Sequence, residues 1–226
     1  MASQDRYIAP KDLAWAFDRC KLCYWDKLHR TGAVNAPFAT VLNVTAAATE
    51  RALTVENMRR LGIEVAEELP IRNVRSKAIG GWGIQGQLDK AFVTHDSRIV
   101  VVDAKLSSLR DSLKVYQAQL AAYAYALEHP DGGAKLHVSR MGLVVFVPNE
   151  VLPIRWNEDN HSALIGSMKW VEFPWNEDAA RVIAMRVEQV KALYDAPAPP
   201  PSTSCDVCNA VDRRVQRALA LERATV

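Results

Sequence analysis

Apolar residues recur at helical spacing near the start of the chain. Leu13, Phe17, Cys20, Tyr24 and Leu28 fall on one stripe and predict a helix over residues 11–30 that carries the first two cysteines. A second helix is expected from about Thr40 to Leu61, with Leu42, Ala46, Leu53 and Met58 as its apolar positions and Gly62 as its C-terminal stop. The period then shortens. Residues 63–72, 84–94 and 98–106 read as strands, and a tight turn at His95, Asp96 and Ser97 makes the last two antiparallel neighbours. Residues 113–128 return to helical spacing, with Tyr116, Leu120, Tyr123 and Leu127 on one stripe. The run GLVVFV at 142–147 is a short, almost wholly apolar strand of the kind buried inside a sheet. A further strand is expected within residues 168–173, then a long helix over 177–194 ahead of the Pro-rich stretch APAPPPS. The order of helices, three strands, helix and strand is that of an α/β protein.

Length and composition fit this pattern. The chain has 226 residues, of which 49% are apolar, enough for one full core. No run approaches the roughly 18 apolar residues that span a bilayer, and the start MASQDRYIAPKD is polar, so no membrane association and a cytoplasmic protein are expected. A net charge of +2 neither demands nor excludes a nucleic-acid partner.

The chemistry gathers on two neighbouring strands. Alternation in residues 84–92 sets Ile84, Leu88 and Phe92 on one face and Gln85, Gln87 and Asp89 on the other. In VVVDAKL, Asp103 and Lys105 share a face opposite Val100, Val102, Ala104 and Leu106, with their backbones about 7 Å apart. Carboxylates so placed can bind hard divalent cations, which activate water and offset charge on a phosphodiester. The lysine can stabilise the pentavalent transition state, or position or deprotonate the attacking water, and the sequence does not choose among these roles. A lone D-x-K is most often solvent-facing strand surface; the second acid on the preceding strand gives this one its weight. Gln119 and Tyr123 follow at i,i+4 spacing, where Tyr123 equally suits the core stripe.

Together G-x-x-D (from Gly86 to Asp89), V-V-D-x-K and Q-x-x-x-Y, in the order β-β-α, resemble the RecB-like branch of the PD-(D/E)xK nucleases. The resemblance covers about residues 10–210 and implies a restriction-endonuclease-like fold: a central mixed sheet flanked by helices around an α-β-β-β-α-β core. It implies Mg²⁺ or Mn²⁺ bound by Asp89, Asp103 and the backbone carbonyl of Ala104, with Lys105 catalytic. The helix bearing Gln119 and Tyr123 is implied to orient the DNA strand or the metal-bound water in enzymes acting at DNA ends or on single strands. The family usually carries one more His or Glu on the helix before the first strand. Here that stretch has no histidine, and Glu50 is the candidate, with Glu56 next and an ordinary exposed helix face as the alternative for both.

All four cysteines fall into two C-x-x-C pairs, Cys20/Cys23 and Cys205/Cys208, which together make a full set of sulfur ligands for Zn²⁺ or an iron-sulfur cluster. Redox-active disulfides are the alternative. Spacing does not separate zinc from iron-sulfur, but the resemblance does favour a 4Fe-4S cluster, as in the AddB nuclease domain and the CRISPR adaptation nuclease. Those relatives commonly have one early and three late cysteines, unlike the two-plus-two split here. The expected organisation is an N-terminal helical segment over 1–62, a nuclease core over 63–195, and a linker with the second cysteine pair over 196–226.

Basic residues Lys21, Lys27, Arg30, Arg110, Lys114, Arg213, Arg214 and Arg217, with the aromatics Tyr24, Trp25 and Trp82, are candidates for contact with phosphates and unpaired bases. Scattered surface charge and packed aromatics are the plainer reading of the same residues. The function that accounts for most of these features is a metal-dependent DNA exonuclease acting on single-stranded or frayed ends in repair, recombination or defence. A helicase or integrase partner is allowed by the resemblance. The alternative is a catalytically inactive nuclease fold that binds DNA or protein.

Overall fold

The computed structural model describes residues 6–16, 20–29, 40–106, 111–156, 159–212 and 214–215. Among the described residues, eight strands form two sheets. β2 (Glu67–Glu68), β5 (Lys90–Val93), β6 (Ile99–Leu106), β7 (Val138–Trp156) and β8 (Asp159–Phe173) lie side by side in that order. The β6·β7 pair is parallel and its neighbours are antiparallel, so the main sheet is mixed. A smaller sheet sets β4 (Trp82–Gln87) between β1 (Arg6–Ile8) and β3 (Asn73–Arg75).

Both faces of β6 are covered, which explains its nearly continuous apolar sequence. Val100, Val102 and Ala104 pack with Leu53, Met58, Ile63, Val65, Phe92 and Val144. Ile99 and Val101 face a larger cluster containing Leu120, Ala124, Ile183 and Val187. The helices that supply these layers are α1 (Lys21–His29), α2 (Thr40–Arg51), α3 (Val55–Arg60), α4 (Gln117–Glu128) and α5 (Glu177–Asp195). In α4, Leu120, Ala121, Ala122, Tyr123, Ala124, Ala126 and Leu127 are all buried, as befits a helix held between a sheet and α5. α5 is amphipathic instead: Ile183, Val187 and Val190 turn inward, and its start is capped by Asn176, whose side chain accepts from the Ala179 amide at 2.9 Å.

Several expected elements are divided. The helix expected over residues 11–30 is a five-residue π-helical turn (Asp12–Ala16) and then α1, with Cys20 just ahead of the latter. Phe17 lies outside the described residues. The next helix breaks after Arg51, because Thr54 caps a new start by accepting from the Asn57 amide at 3.2 Å. Its expected end holds: Gly62 adopts φ +78°, Gly62 N donates to Arg59 O and Ile63 N to Met58 O, and Ile63 packs in the same cluster as Met58. Of the strand expected over 63–72 only β2 forms, while β7 and β8 are far longer than the apolar runs that announced them. The helix expected from residue 113 begins as a 3-10 helix (Asp111–Tyr116) that continues into α4.

One division matters for the site. The single strand read through 84–94 is two strands, β4 and β5, in different sheets, interrupted at Leu88 and Asp89. Ile84, Leu88 and Phe92 are all buried, but not on the one face expected: Ile84 and Leu88 pack in the larger cluster, and Phe92 packs with Val100 and Val102 in the other.

Candidate functional site

Asp89 sits where the chain crosses from the small sheet to the large one. β5 begins at Lys90, whose partner on β6 is Val102, so the strand runs out before it can pair with Ala104. The Asp89 carboxylate takes the missing place: its Oδ2 accepts from the Ala104 amide at 2.8 Å. This contact ties the first acid to the D-x-K segment through the backbone between its two charged residues.

Asp103 lies on the face of β6 turned toward α4 and is 1% exposed, whereas the sequence suggested a half-exposed strand face. Its Oδ1 accepts from Gln119 Nε2 at 3.1 Å. The same nitrogen lies 3.4 Å from Tyr123 Oη, which in turn donates to the Gln87 carbonyl at 2.7 Å. Gln119 and Tyr123 therefore brace the two acids: one holds Asp103 and the other anchors the strand leading to Asp89. Gly86 makes this packing possible, because a Cβ there would lie 2.6 Å from Pro10 Cδ and 3.3 Å from Tyr123 Cε1.

Oδ2 of Asp103 is buried and accepts no hydrogen bond of ordinary geometry. The Lys105 ammonium lies 2.5 Å from it. Lys105 keeps 21% of its side chain exposed, and its Nζ stands 4.9 Å from the centre of the Tyr116 ring. Tyr116 was legible only as a core residue; the signal for more is its place one turn before Gln119 on the same face. Burial pushes the Asp103 carboxyl up to about 7, against the pull of Lys105 and with the help of the Asp89 charge. Burial likewise raises Tyr123 to about 12, so it stays a neutral donor to Gln87. An acid whose second oxygen is buried with no ordinary hydrogen bond fits a cation ligand, and the donors nearby are hard oxygens.

Glu50 is engaged elsewhere. Arg72 holds its carboxylate at 3.0 Å, while the Arg72 carbonyl accepts from the Leu88 amide, one residue before Asp89. Glu56 is exposed and pairs with Arg60 on its own helix. Among the described residues, neither joins Asp89 and Asp103 in a group of carboxylates within metal-binding reach.

Of the aromatic candidates for base stacking, two are packed inside the protein, as the plainer reading has it, and Trp25 is half-buried. Tyr24 is buried at 1% exposure and Trp82 at 7%. Trp25 stacks on His29 at 3.8 Å, His29 stacks on Tyr194 at 4.3 Å, and Tyr194 meets Trp82 edge-on at 5.3 Å. Lys27 pairs with Asp12 at 2.5 Å. Lys114 and Arg214 are exposed, and Arg30, Arg110, Arg213 and Arg217 lie outside the described residues.

The four cysteines converge although their pairs are far apart in sequence. Each pair takes the same local form. Cys20 O accepts from the Tyr24 amide and Cys205 O from the Asn209 amide, which makes Cys20 and Cys205 the cap residues of two helix starts, with Cys23 and Cys208 three residues on. Sγ separations are 3.5 Å for Cys20 and Cys208, 3.7 Å for Cys23 and Cys205, and 3.6 Å for Cys23 and Cys208. All four sulfurs lie within 4.8 Å of one another, a set that can hold a metal ion. The second pair returns because Trp25 Nε1 donates to the Ala196 carbonyl at 2.9 Å, pinning the end of α5 beside α1 before the Pro-rich stretch begins. No described helix is long and apolar enough to cross a membrane.

No curated protein matches the sequence at a significant level. Among solved structures, the crystal structure of SSO0001 matches with a TM-score of 0.50 at 16% identity, over 88% of this chain and 82% of that one, a likeness of fold. The family model of the PD-(D/E)XK nuclease superfamily, whose members use divalent metal ions, matches residues 15–213. That span takes in both acids, the lysine, the Gln119/Tyr123 helix and all four cysteines, and the mixed sheet flanked by helices is the one this family builds: the chain belongs to the PD-(D/E)XK nuclease superfamily.

Proposed function

We propose that the chain is a divalent-metal-dependent deoxyribonuclease of the RecB-like branch, hydrolysing phosphodiester bonds at free or single-stranded DNA ends in repair, recombination or defence. The observation that carries this reading is Asp103: a buried carboxyl whose Oδ2 lacks an ordinary hydrogen bond, with Lys105 at 2.5 Å and Asp89 on the adjoining backbone. Stability gives no reason for such a group, since burying an ionisable carboxyl is costly and an apolar residue there would extend the core. A perturbed acid beside a specific charge partner is a mark of functional sites.

Asp89, Asp103 and the Ala104 carbonyl are the residues that would hold Mg²⁺ or Mn²⁺. The Ala104 amide faces Asp89, and the N–H and C=O of one strand residue point to the same side, so this carbonyl belongs to the same edge. A cation held there supplies Lewis-acid stabilisation of phosphate charge and a more acidic attacking water. The protein groups supply the rest. Gln119 holds Asp103 through Oδ1, while Oδ2 faces the Lys105 ammonium and would take a cation as that ammonium turns to the phosphate. Lys105, partly exposed and flanked by Tyr116, offers its ammonium to the charge that builds on the scissile phosphate. Glu50 would complete the ligand set only by leaving Arg72. The Gln119/Tyr123 helix, which resembles that of end-processing relatives, supports the choice of DNA ends as substrate.

The test is cleavage of end-labelled single- and double-stranded DNA with Mg²⁺ or Mn²⁺, beside Lys105→Ala. The protein cuts, and the variant, with its fold retained, falls by at least about 100-fold. DNA bound tightly but left intact by the parent protein would replace this reading with that of a binding module. Equal cleavage by parent and variant would remove Lys105 from the mechanism.

A further inference from the structure

Four thiols gathered to contact distance are poorly arranged on their own. Any two that ionise repel each other at this separation. The arrangement makes sense around a cation, and the spacing of the sulfurs tells which kind.

In a tetrahedral site with metal–sulfur bonds of about 2.3 Å, the sulfurs stand about 3.8 Å apart. The three close contacts here are 3.5, 3.6 and 3.7 Å, and the whole set stays within 4.8 Å. A 4Fe-4S cubane cannot share that space. It interposes a cage of irons and sulfides between the thiolates and binds each one to a different iron, which forces the four sulfurs much farther apart than a single ion does. The local geometry agrees with a single centre, because each C-x-x-C takes the cap and third positions of a helix start and so presents both sulfurs to one point. Four protein ligands also leave no position for water or substrate, as in a structural site.

We propose that Cys20, Cys23, Cys205 and Cys208 bind one Zn²⁺ in a closed, structural, tetrahedral site, in place of the 4Fe-4S cluster that the resemblance favoured. The site stands on sulfur geometry alone and is independent of the nuclease reading. It joins two helix starts that lie at opposite ends of the described chain.

The experiment uses the full chain, expressed with both iron and zinc supplied and purified without oxygen, and counts metals and acid-labile sulfide. One zinc per chain, without stoichiometric iron or visible absorption, is the expected result. About four irons and four sulfides per chain with broad visible absorption overturns the proposal, as does metal-free protein. Replacing the bound ion with Co²⁺ provides a second reading that needs no mutation: intense visible bands of tetrahedral thiolate-bound cobalt are expected, and the weak spectrum of an octahedral ion counts against the site. Incubation of metal-depleted protein with iron and sulfide should leave it without a cluster. A stable cubane formed in that step would overturn the assignment even if the isolated protein held zinc. The double variant Cys205→Ser/Cys208→Ser should lose zinc from one per chain to a small fraction of that, and full retention would place the ion elsewhere.

Discussion

At the scale of single residues, Asp103 carries the clearest energetic signature. Its carboxyl is ordinary in the unfolded chain, near 3.8, and reaches about 7 when folded. Between those values the folded protein holds a proton that the unfolded chain has released, so folding takes up a proton and a rise in pH opposes it. Metal-free protein is therefore expected to lose stability as pH rises from about 4 to about 7, by up to about 1.4 kcal/mol per pH unit, and to level off above. Asp103→Asn has no proton to release and should lack this component, so its advantage over the parent widens across the window. Urea unfolding of both proteins in chelator, at steps from acid to neutral pH, measures that gap. A constant gap would mean that the carboxyl titrates in its usual range. Divalent metal works in the opposite direction, because it binds the ionised form, and its stabilisation should grow toward neutral pH.

At the scale of elements, two glycines make distinct demands. Gly62 needs left-handed backbone but has open space around it, nothing lying within 4 Å of a built Cβ. Gly62→Ala should therefore cost only the conformational penalty, about 1–2 kcal/mol, and leave activity intact. At Gly86 the penalty is steric instead: the new methyl would meet Pro10 at 2.6 Å and crowd Tyr123. Gly86→Ala should cost roughly 1–3 kcal/mol and also lower the cleavage rate, since Tyr123 sits in the chain of contacts that reaches Asp103. Thermal melts and DNA cleavage on both variants separate the two cases; a Gly86→Ala protein of full activity would show that Tyr123 does not position the site. The same contrast explains what was legible in the sequence. Gly62 announced its helix end because the signal is local, and α5 and the Asp103/Lys105 pair on β6 were legible for the same reason. The split between β4 and β5 was not, because one alternating pattern serves two sheets and the change of partner is tertiary. Asp103 looked solvent-facing because alternation names a face without saying what covers it. The aromatic rings Trp25, His29, Tyr194 and Trp82 met only once α1 and α5 had packed.

At the scale of the whole molecule, the cysteine centre and the ring stack address the same problem from different sides. The face that carries Asp103 depends on α4, which α5 covers, and α5 is fixed to the N-terminal segment by Arg186 on the Leu13 carbonyl and by Trp25 on Ala196. Among the described residues beyond Ala196, Val207, Val211 and Val215 remain between 43% and 49% exposed. What holds this segment is the link from Cys205 and Cys208 back to Cys20 and Cys23, which closes nearly the full length of the chain. Such a closure restricts the unfolded ensemble, and by analogy with a long-loop disulfide it contributes about 2–5 kcal/mol. Removal of the bound metal should therefore act in two steps. The segment after the Pro-rich linker opens first, becoming the earliest site of proteolysis and of fast amide exchange, while β5, β6 and α4 keep their protection. The global melting temperature then falls by an amount that added metal restores. Limited proteolysis and hydrogen exchange with and without chelator follow both steps. If the core loses protection together with the C-terminal segment, the cysteine centre is part of the folding unit itself, and the ring stack between α1 and α5 is too weak to hold the sheet and its helices together alone.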